Sequence, residues 1–181
     1  MIVLIEGLNC TGKTTMAENF SRELKIPVVK FNVHGPEPYR EFIDQLHSVG
    51  QKEKHFIVDR MHLSNYAYDG CLGGGVMTPS EWEILDSVLN GWRCYLYWMV
   101  DTPHAIEERM KLRTGRTDGA ETMPRGQIGM IHNRFQTAYS RSIIEKKGSF
   151  TLPQFVDDGY TTRQFKDQLR ILKMEMAGII L

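Results

Sequence analysis

A glycine-bounded segment near the start of the chain has the residue types that hold phosphates. Residues 7–14 read G-L-N-C-T-G-K-T and fit G-x-x-x-x-G-K-[ST]; the apolar run 2–5 before them predicts a strand and residues 15–24 after them predict a helix. Terminal glycines let successive backbone N–H groups point into one concavity, and the helix adds the positive end of its dipole. We therefore predict a site for the phosphates of ATP, with a ligand-free turn as the alternative.

The motif also assigns roles to side chains. Lys13 is predicted to reach the β- and γ-phosphates as a point charge, and the Thr14 hydroxyl is predicted to bind Mg²⁺. The predicted phosphate-binding residues of the segment are Asn9, Cys10, Thr11, Gly12, Lys13, Thr14 and Thr15.

A second pair of candidate residues, Asp59 and Arg60, stands at the end of the predicted strand 56–59, whose first three residues are apolar. Ligands of open α/β sheets bind at the carboxyl ends of strands, so Asp59 is placed to hold Mg²⁺, directly or through water. Its alternative role is to cap the next helix. The planar fork of Arg60 is suited to the phosphate or hydroxyl region of an acceptor and to charge on the transferring group.

Basic residues cluster late in the chain, in a stretch that runs into glycine. Arg109, Lys111, Arg113 and Arg116 lie within eight residues. A kinase needs cations that close over ATP and exclude water. We predict a lid at about residues 113–126, with Arg109 on the ATP phosphates and Arg113 and Arg116 as catalytic residues. A solvated charged face is the alternative.

Candidate residues for binding the phosphoryl acceptor lie in the loop after the second predicted strand and after Asp59-Arg60. Glu37 is a candidate general base or sugar-binding carboxylate, and Arg40 a candidate for an acceptor phosphate. Exposed loop charges are the alternative for both residues. Tyr66 and Tyr68 either line a base pocket or belong to the core.

Composition narrows the class of protein. The 181 residues suit one domain, 1–181, and Lys plus Arg equals Asp plus Glu at 22 each, so no overall field attracts DNA or a membrane. Three cysteines without metal-ligand spacing suit a reducing compartment, and we expect a cytoplasmic, unprocessed protein.

Strand-like and helix-like segments alternate along the chain. Strands are predicted at residues 2–5, 27–31, 56–59, 94–100 and 150–156, with helices at 15–24, 39–50, 78–89, from 103, 127–146 and 162–176. Residues 78–81 have the form of a capping box. Alternation predicts an α/β protein of the P-loop NTPase fold: a five-stranded parallel sheet, order 2-3-1-4-5, with helices on both faces and a small lid.

These motifs together resemble the thymidylate kinase and deoxynucleoside kinase group. The matching residues are Ile5-Glu6-Gly7-Leu8 with Gly12-Lys13-Thr14-Thr15, Asp59-Arg60 with Ser64, Ala67 and Tyr68, and Glu108-Arg109 through Arg113 and Arg116 to Asp118. The resemblance implies that Arg60 binds the acceptor phosphate and that lid arginines clamp the transferring phosphoryl group. It also implies a homodimer.

The chain departs from thymidylate kinases at several points. Asn9 stands where an acidic residue is common, Cys10 stands where some members have arginine, and the interval 32–58 is too short for the usual base-binding helix. Pro36-Glu37-Pro38 is instead similar to the glutamate-proline motif of deoxynucleoside kinases.

The predicted function is ATP- and Mg²⁺-dependent phosphoryl transfer to a deoxynucleotide, foremost a thymidylate-like pyrimidine deoxynucleoside monophosphate. Three alternatives stay open: a deoxynucleoside kinase with Glu37 as base, a kinase acting on a modified base in DNA, and a nucleotide-binding module without catalysis. Neutral net charge counts against DNA, because duplex binding relies on basic residues.

Overall fold

The computed structural model describes residues 1–31, 33, 35–68, 77–113 (backbone only at 113), 127–151 and 163–179. Within these residues, five strands form one parallel sheet of order β2-β3-β1-β4-β5, as predicted. The strands are β1 (Ile2–Gly7), β2 (Val28–Val29), β3 (Phe56–Asp59), β4 (Cys94–Met99) and β5 (Lys146–Phe150). The helices are α1 (Lys13–Leu24), α2 (Pro38–Gly50), α3 (His62–Ala67), α4 (Pro79–Gly91), α5 (Pro103–Arg113), α6 (Ile128–Arg141) and α7 (Arg163–Met176).

The centre of the sheet is apolar on both faces because helices cover both. Every residue of β1, β3 and β4 is buried. One core contains residues of α2, α3, α4 and α6, and the other contains residues of α1 and α7. The registers Ile5↔Asp59 and Gly7↔Met99 bring the carboxyl ends of the three central strands to one edge. The candidate site residues that follow β1 and β3 lie at this edge of the sheet.

The edges of the sheet differ from the prediction. β2 comprises Val28–Val29 instead of residues 27–31, and among the described strands it pairs with β3 alone. β5 is Lys146–Phe150, whereas a helix was predicted to reach residue 146 and the strand to occupy 150–156. Residues 152–156 lie outside the described part.

The early end of α6 explains the shift of β5. Asp86 Oδ2 accepts a hydrogen bond from Ile143 N at 2.8 Å, and Asn90 Oδ1 accepts one from Glu145 N at 3.0 Å. These two side chains of α4 hold the chain after Arg141 in an extended course, so that Lys146 aligns with Tyr95 of β4. Pairing with β4 creates a strand whose own residues are largely polar.

The start of α4 agrees with the predicted capping box: Thr78 accepts from Glu81 N at 3.3 Å, and Glu81 accepts from Thr78 N at 2.8 Å. No helix among the described residues is both long and apolar enough to cross a membrane. The predicted lid falls almost entirely on residues 114–126, outside the described part.

Candidate active site

The loop between β1 and α1 has the backbone shape of a phosphate nest. Gly7 is required where β1 passes β4, because a Cβ there would lie 2.4 Å from the Met99 carbonyl oxygen. Cys10 (φ 63°) and Gly12 (φ 90°) adopt the left-handed conformation that curls successive peptide groups around a concavity. Gly12 caps α1 without a side-chain hydrogen bond, so the first N–H groups of α1 are available to a ligand.

Lys13 lies inside this loop and is buried to 4% exposure. Its ammonium donates to the Leu8 carbonyl oxygen. Burial, with a smaller contribution from the charge of Arg60, lowers the pKa of Lys13 from 10.5 to about 7. The ligand-free site therefore holds a poorly solvated cation that an anionic phosphate would stabilise.

Thr14 and Asp59 meet where β3 ends beside α1. The Thr14 hydroxyl donates to Asp59 Oδ2 at 3.2 Å, while Asp59 Oδ1 is buried and has no hydrogen-bond partner among the described residues. Over the same residues no group of three His, Cys, Asp or Glu side chains is arranged to hold a metal. One hydroxyl and one carboxylate still fit Mg²⁺, which takes few protein ligands and completes its shell with water and phosphate oxygens.

Arg60 turns back toward the loop from the end of β3. Its φ of 75° is strained for a non-glycine residue. The guanidinium donates to Asn9 Oδ1 and lies 5.7 Å from the centre of the Tyr68 ring. The Tyr68 hydroxyl accepts from Asn9 N at 3.0 Å, so Asn9, Arg60 and Tyr68 form one contact group.

Glu6, a fully buried carboxylate, holds the segment after Arg60. Its Oε1 accepts from Met61 N at 2.8 Å and from Leu63 N at 3.1 Å, and its Oε2 accepts from the Ser64 hydroxyl. Burial raises the pKa of Glu6, and the charge of His62 and hydrogen bonds from Ser64 and Met61 oppose this rise. A side chain from β1 thus satisfies the first donors of α3 and supports the turn at Arg60.

Arg109 reaches the same loop from α5. Its Nε donates to the Cys10 carbonyl oxygen at 2.8 Å, and its guanidinium pairs with Asp101, which follows β4. Arg113 closes α5, and only its backbone is described; Arg116 lies outside the described residues. Their predicted lid roles stay predictions.

The predicted acceptor residues occupy three places. Glu37 and Arg40 pair with each other at 2.9 Å at the exposed start of α2. Tyr66 is half-buried against Trp82 of α4, with 5.4 Å between ring centres. Tyr68 is buried beside Phe135 of α6, in addition to its contacts with Asn9 and Arg60.

Three residues that the structure places at the site were not predicted from the sequence to belong to it: Glu6, Lys30 and Asp101. Lys30 Nζ lies 3.7 Å from Asp59 Oδ2. The available signal was position, because Lys30 and Asp101 are the first charged residues after β2 and β4, at the ligand-binding edge of a parallel sheet.

Solved structures of other proteins share this architecture. The crystal structure of YorR from Bacillus subtilis, in complex with phosphorylated GDP, aligns over 98% of both chains with a TM-score of 0.75 and 19% identity. Deoxyadenosine kinase from M. mycoides with bound dATP aligns over 98% of this chain and 100% of its own, with a TM-score of 0.56 and 12% identity. Shikimate kinase from Bacteroides thetaiotaomicron aligns over 98% of both chains, with a TM-score of 0.54 and 12% identity. The fold is that of the P-loop kinases.

Sequence comparison adds one curated relative. The SPβ prophage-derived YorR protein of Bacillus subtilis strain 168 is 25% identical over 118 residues, which cover 62% of this chain and 68% of YorR. No protein-family model matches the chain. At these identities the likeness concerns the fold alone.

Proposed function

We propose that the protein is a kinase that transfers the γ-phosphoryl group of ATP to a deoxynucleoside monophosphate. The supporting observation is the convergence of Lys13, Arg60 and Arg109 on the loop of residues 8–10, beside the Thr14–Asp59 pair. Three cations around one phosphate nest suit a reaction whose catalysis consists mainly of positioning and charge stabilisation.

Each group has a defined task in this proposal. The nest and Lys13 hold the β- and γ-phosphates, Arg60 faces the acceptor, and Arg109 with the lid arginines stabilises charge on the transferring group. Thr14 and Asp59 would hold Mg²⁺, which neutralises phosphate charge when bound. The acceptor phosphate oxygen forms a bond to the γ-phosphorus while the bond from that phosphorus to the ADP oxygen breaks. An ionised acceptor phosphate needs no base.

The acceptor that we place first is a thymidylate-like pyrimidine deoxynucleoside monophosphate, on the resemblance of the Asp59-Arg60 segment to thymidylate kinases. YorR with phosphorylated GDP and deoxyadenosine kinase with dATP are structural neighbours with purine nucleotides, so the test covers all bases. The homodimer implied by the resemblance also stays a prediction, which sedimentation velocity would check.

The deciding experiment incubates the protein with Mg²⁺ and γ-labelled ATP in the presence of each acceptor class. The acceptors are the four deoxynucleoside monophosphates, the corresponding nucleosides, and DNA with and without modified pyrimidines. Label in a monophosphate, lost in Lys13→Ala, supports the proposal. Label in nucleoside or DNA alone supports one of the other kinases, and ATP binding without transfer to any acceptor favours a binding module.

Substitution of Glu37 distinguishes the monophosphate kinase hypothesis from the nucleoside kinase hypothesis. Its carboxylate is exposed and already paired with Arg40, so we expect Glu37→Gln to leave turnover of a monophosphate within about twofold of wild type. Steady-state kinetics at saturating ATP measure this effect. Loss of turnover with ATP binding intact would instead assign Glu37 the role of a general base.

A further inference from the structure

Lys30 is placed by β2 beside the candidate reaction centre. The register Val29↔Val58 sets Lys30, the next residue, level with Asp59 on the neighbouring strand. Lys30 Nζ lies 3.7 Å from Asp59 Oδ2, yet the Lys30 side chain is 65% exposed whereas that of Asp59 is 5% exposed. The cation therefore borders the buried carboxylate from the solvent side, where an acceptor would approach.

Structural stabilisation explains this placement poorly. Ion pairs with an exposed partner contribute at most about 1 kcal/mol, and 3.7 Å is long for a charge-assisted hydrogen bond. Asp59 Oδ2 already accepts a hydrogen bond from Thr14. The Lys30 ammonium can consequently leave Asp59 for a stronger anion at little cost.

The charge of Lys30 also indicates which acceptor it would meet. Activation of a neutral sugar hydroxyl calls for a base at this strand end, and an ammonium cannot take that proton. An ammonium does attract a phosphate monoester, and Arg60 presents a second cation from the end of β3. The ends of the neighbouring strands β2 and β3 therefore each supply a cation, Lys30 beside Asp59 and Arg60 beside Asn9, and this sign of charge suits an anionic acceptor.

We propose that Lys30 binds the phosphate of the acceptor and selects a phosphorylated nucleoside over the free nucleoside. This assignment rests on the proposed kinase function, and it names the residue that gives the site its preference for a monophosphate. It assigns Lys30 to the acceptor and not to ATP, which the loop of residues 7–14 and α1 would hold on the other side of Asp59.

The test compares Lys30→Ala and Lys30→Arg with Lys52→Ala, a control at another exposed lysine. Because a hydrogen bond to a charged group contributes about 1.5–3 kcal/mol, Lys30→Ala should raise the KM and Kd for the monophosphate about tenfold or more. The KM for ATP should stay within about twofold, Lys30→Arg should keep much of the affinity, and Lys52→Ala should match wild type. Thermal melting and ADP binding confirm that each variant is folded.

Calorimetric titration of the protein with monophosphate and with nucleoside keeps the result independent of turnover. Weaker binding of the monophosphate alone in Lys30→Ala supports the proposal. Equal Kd values for the monophosphate in wild type and Lys30→Ala overturn it, even where the wild type is an active monophosphate kinase. Equal increases in the KM for ATP and for the acceptor also overturn it, because Lys30 would then act through Asp59. Failure of the wild type to phosphorylate any monophosphate refutes the proposed monophosphate kinase function, and the titrations still decide whether Lys30 binds the phosphate.

Discussion

At the scale of single residues, the main feature of the candidate site is the buried side chain of Lys13. The pKa of Lys13 is about 7 in the folded protein because the ammonium is buried, against 10.5 when it is solvated. Below pH 7 both states carry the proton and the folded state bears the cost of a buried charge. Between about pH 7 and 10.5 the unfolded chain binds more protons, so the free energy of unfolding rises with pH.

Lys13→Met should therefore stabilise the ligand-free protein while abolishing transfer. We expect a gain of roughly 1–3 kcal/mol at pH 6 that becomes smaller by pH 9. Urea unfolding of wild type and variant at both pH values measures it, with Lys52→Met as the matched exposed control. An equal gain at both pH values would show that the Lys13 charge is not the cause.

Substitutions of Lys13 and of the predicted lid arginines should change the kinetic constants differently. Lys13→Ala should weaken ATP binding and turnover together, because in the proposed function Lys13 contacts the phosphates in both the ground state and the transition state. Arg113→Ala or Arg116→Ala should lower kcat at least about tenfold with a smaller change in the KM for ATP, since a lid engages on closure. Steady-state kinetics separate the two patterns. Wild-type kcat in both lid variants would assign these arginines to a solvated surface.

At the scale of elements, β1 fixes the start of α3 through Glu6. Glu6→Gln places an amide donor among the donors Met61 N, Leu63 N and Ser64 Oγ. We expect a loss of about 1–3 kcal/mol in stability and a larger rise in KM for the acceptor than for ATP, because the turn at Arg60 loses its support. Ser64→Ala, which removes one donor, should be milder. Parallel changes in both KM values would indicate general loosening of the site.

At the scale of the whole molecule, a buried hydrogen bond between His62 and Asp86 joins the start of α3 to α4, and Asp86 also binds the chain before β5. His62 Nε2 lies 2.8 Å from Asp86 Oδ1, both side chains are fully buried, and Asp86 Oδ2 accepts from Ile143 N. Burial opposes ionisation of Asp86, but the His62 contact and the other hydrogen bonds lower the pKa of Asp86 below its usual value. The pair is a tertiary link between three segments.

Asp86→Leu should destabilise the protein by about 3–5 kcal/mol, because it leaves His62 buried without its partner. The double variant His62→Leu/Asp86→Leu should recover part of that loss. Urea unfolding of both single variants and the double variant gives the coupling free energy. Strictly additive effects would show that the two side chains do not interact.

Short segments of the sequence were sufficient to predict the phosphate-binding loop and the central strands of the sheet. The phosphate nest depends on glycines and a lysine within eight residues, and β1, β3 and β4 depend on continuous apolar runs, so neighbours in sequence determine both. The capping box at Thr78 and the last residues of α2 and α7 were also predicted from residues close together in the sequence. The strand order and the helices on both faces therefore agree with prediction.

Contacts between residues far apart in the sequence determined the position of β5 and the partners of the charged residues at the site. β5 exists because β4 offers an open edge and Asp86 and Asn90 hold residues 143–145, and nothing in K-K-G-S-F itself predicts a strand. Glu6 binds Met61 at a separation of 55 residues, and Arg109 binds Cys10 at a separation of 99. Lys30 comes within 3.7 Å of Asp59 only because β2 pairs with β3. Side chains gain such partners when the sheet assembles, so the sequence by itself determined the nest and the central strands, and the tertiary structure decided which charges surround them.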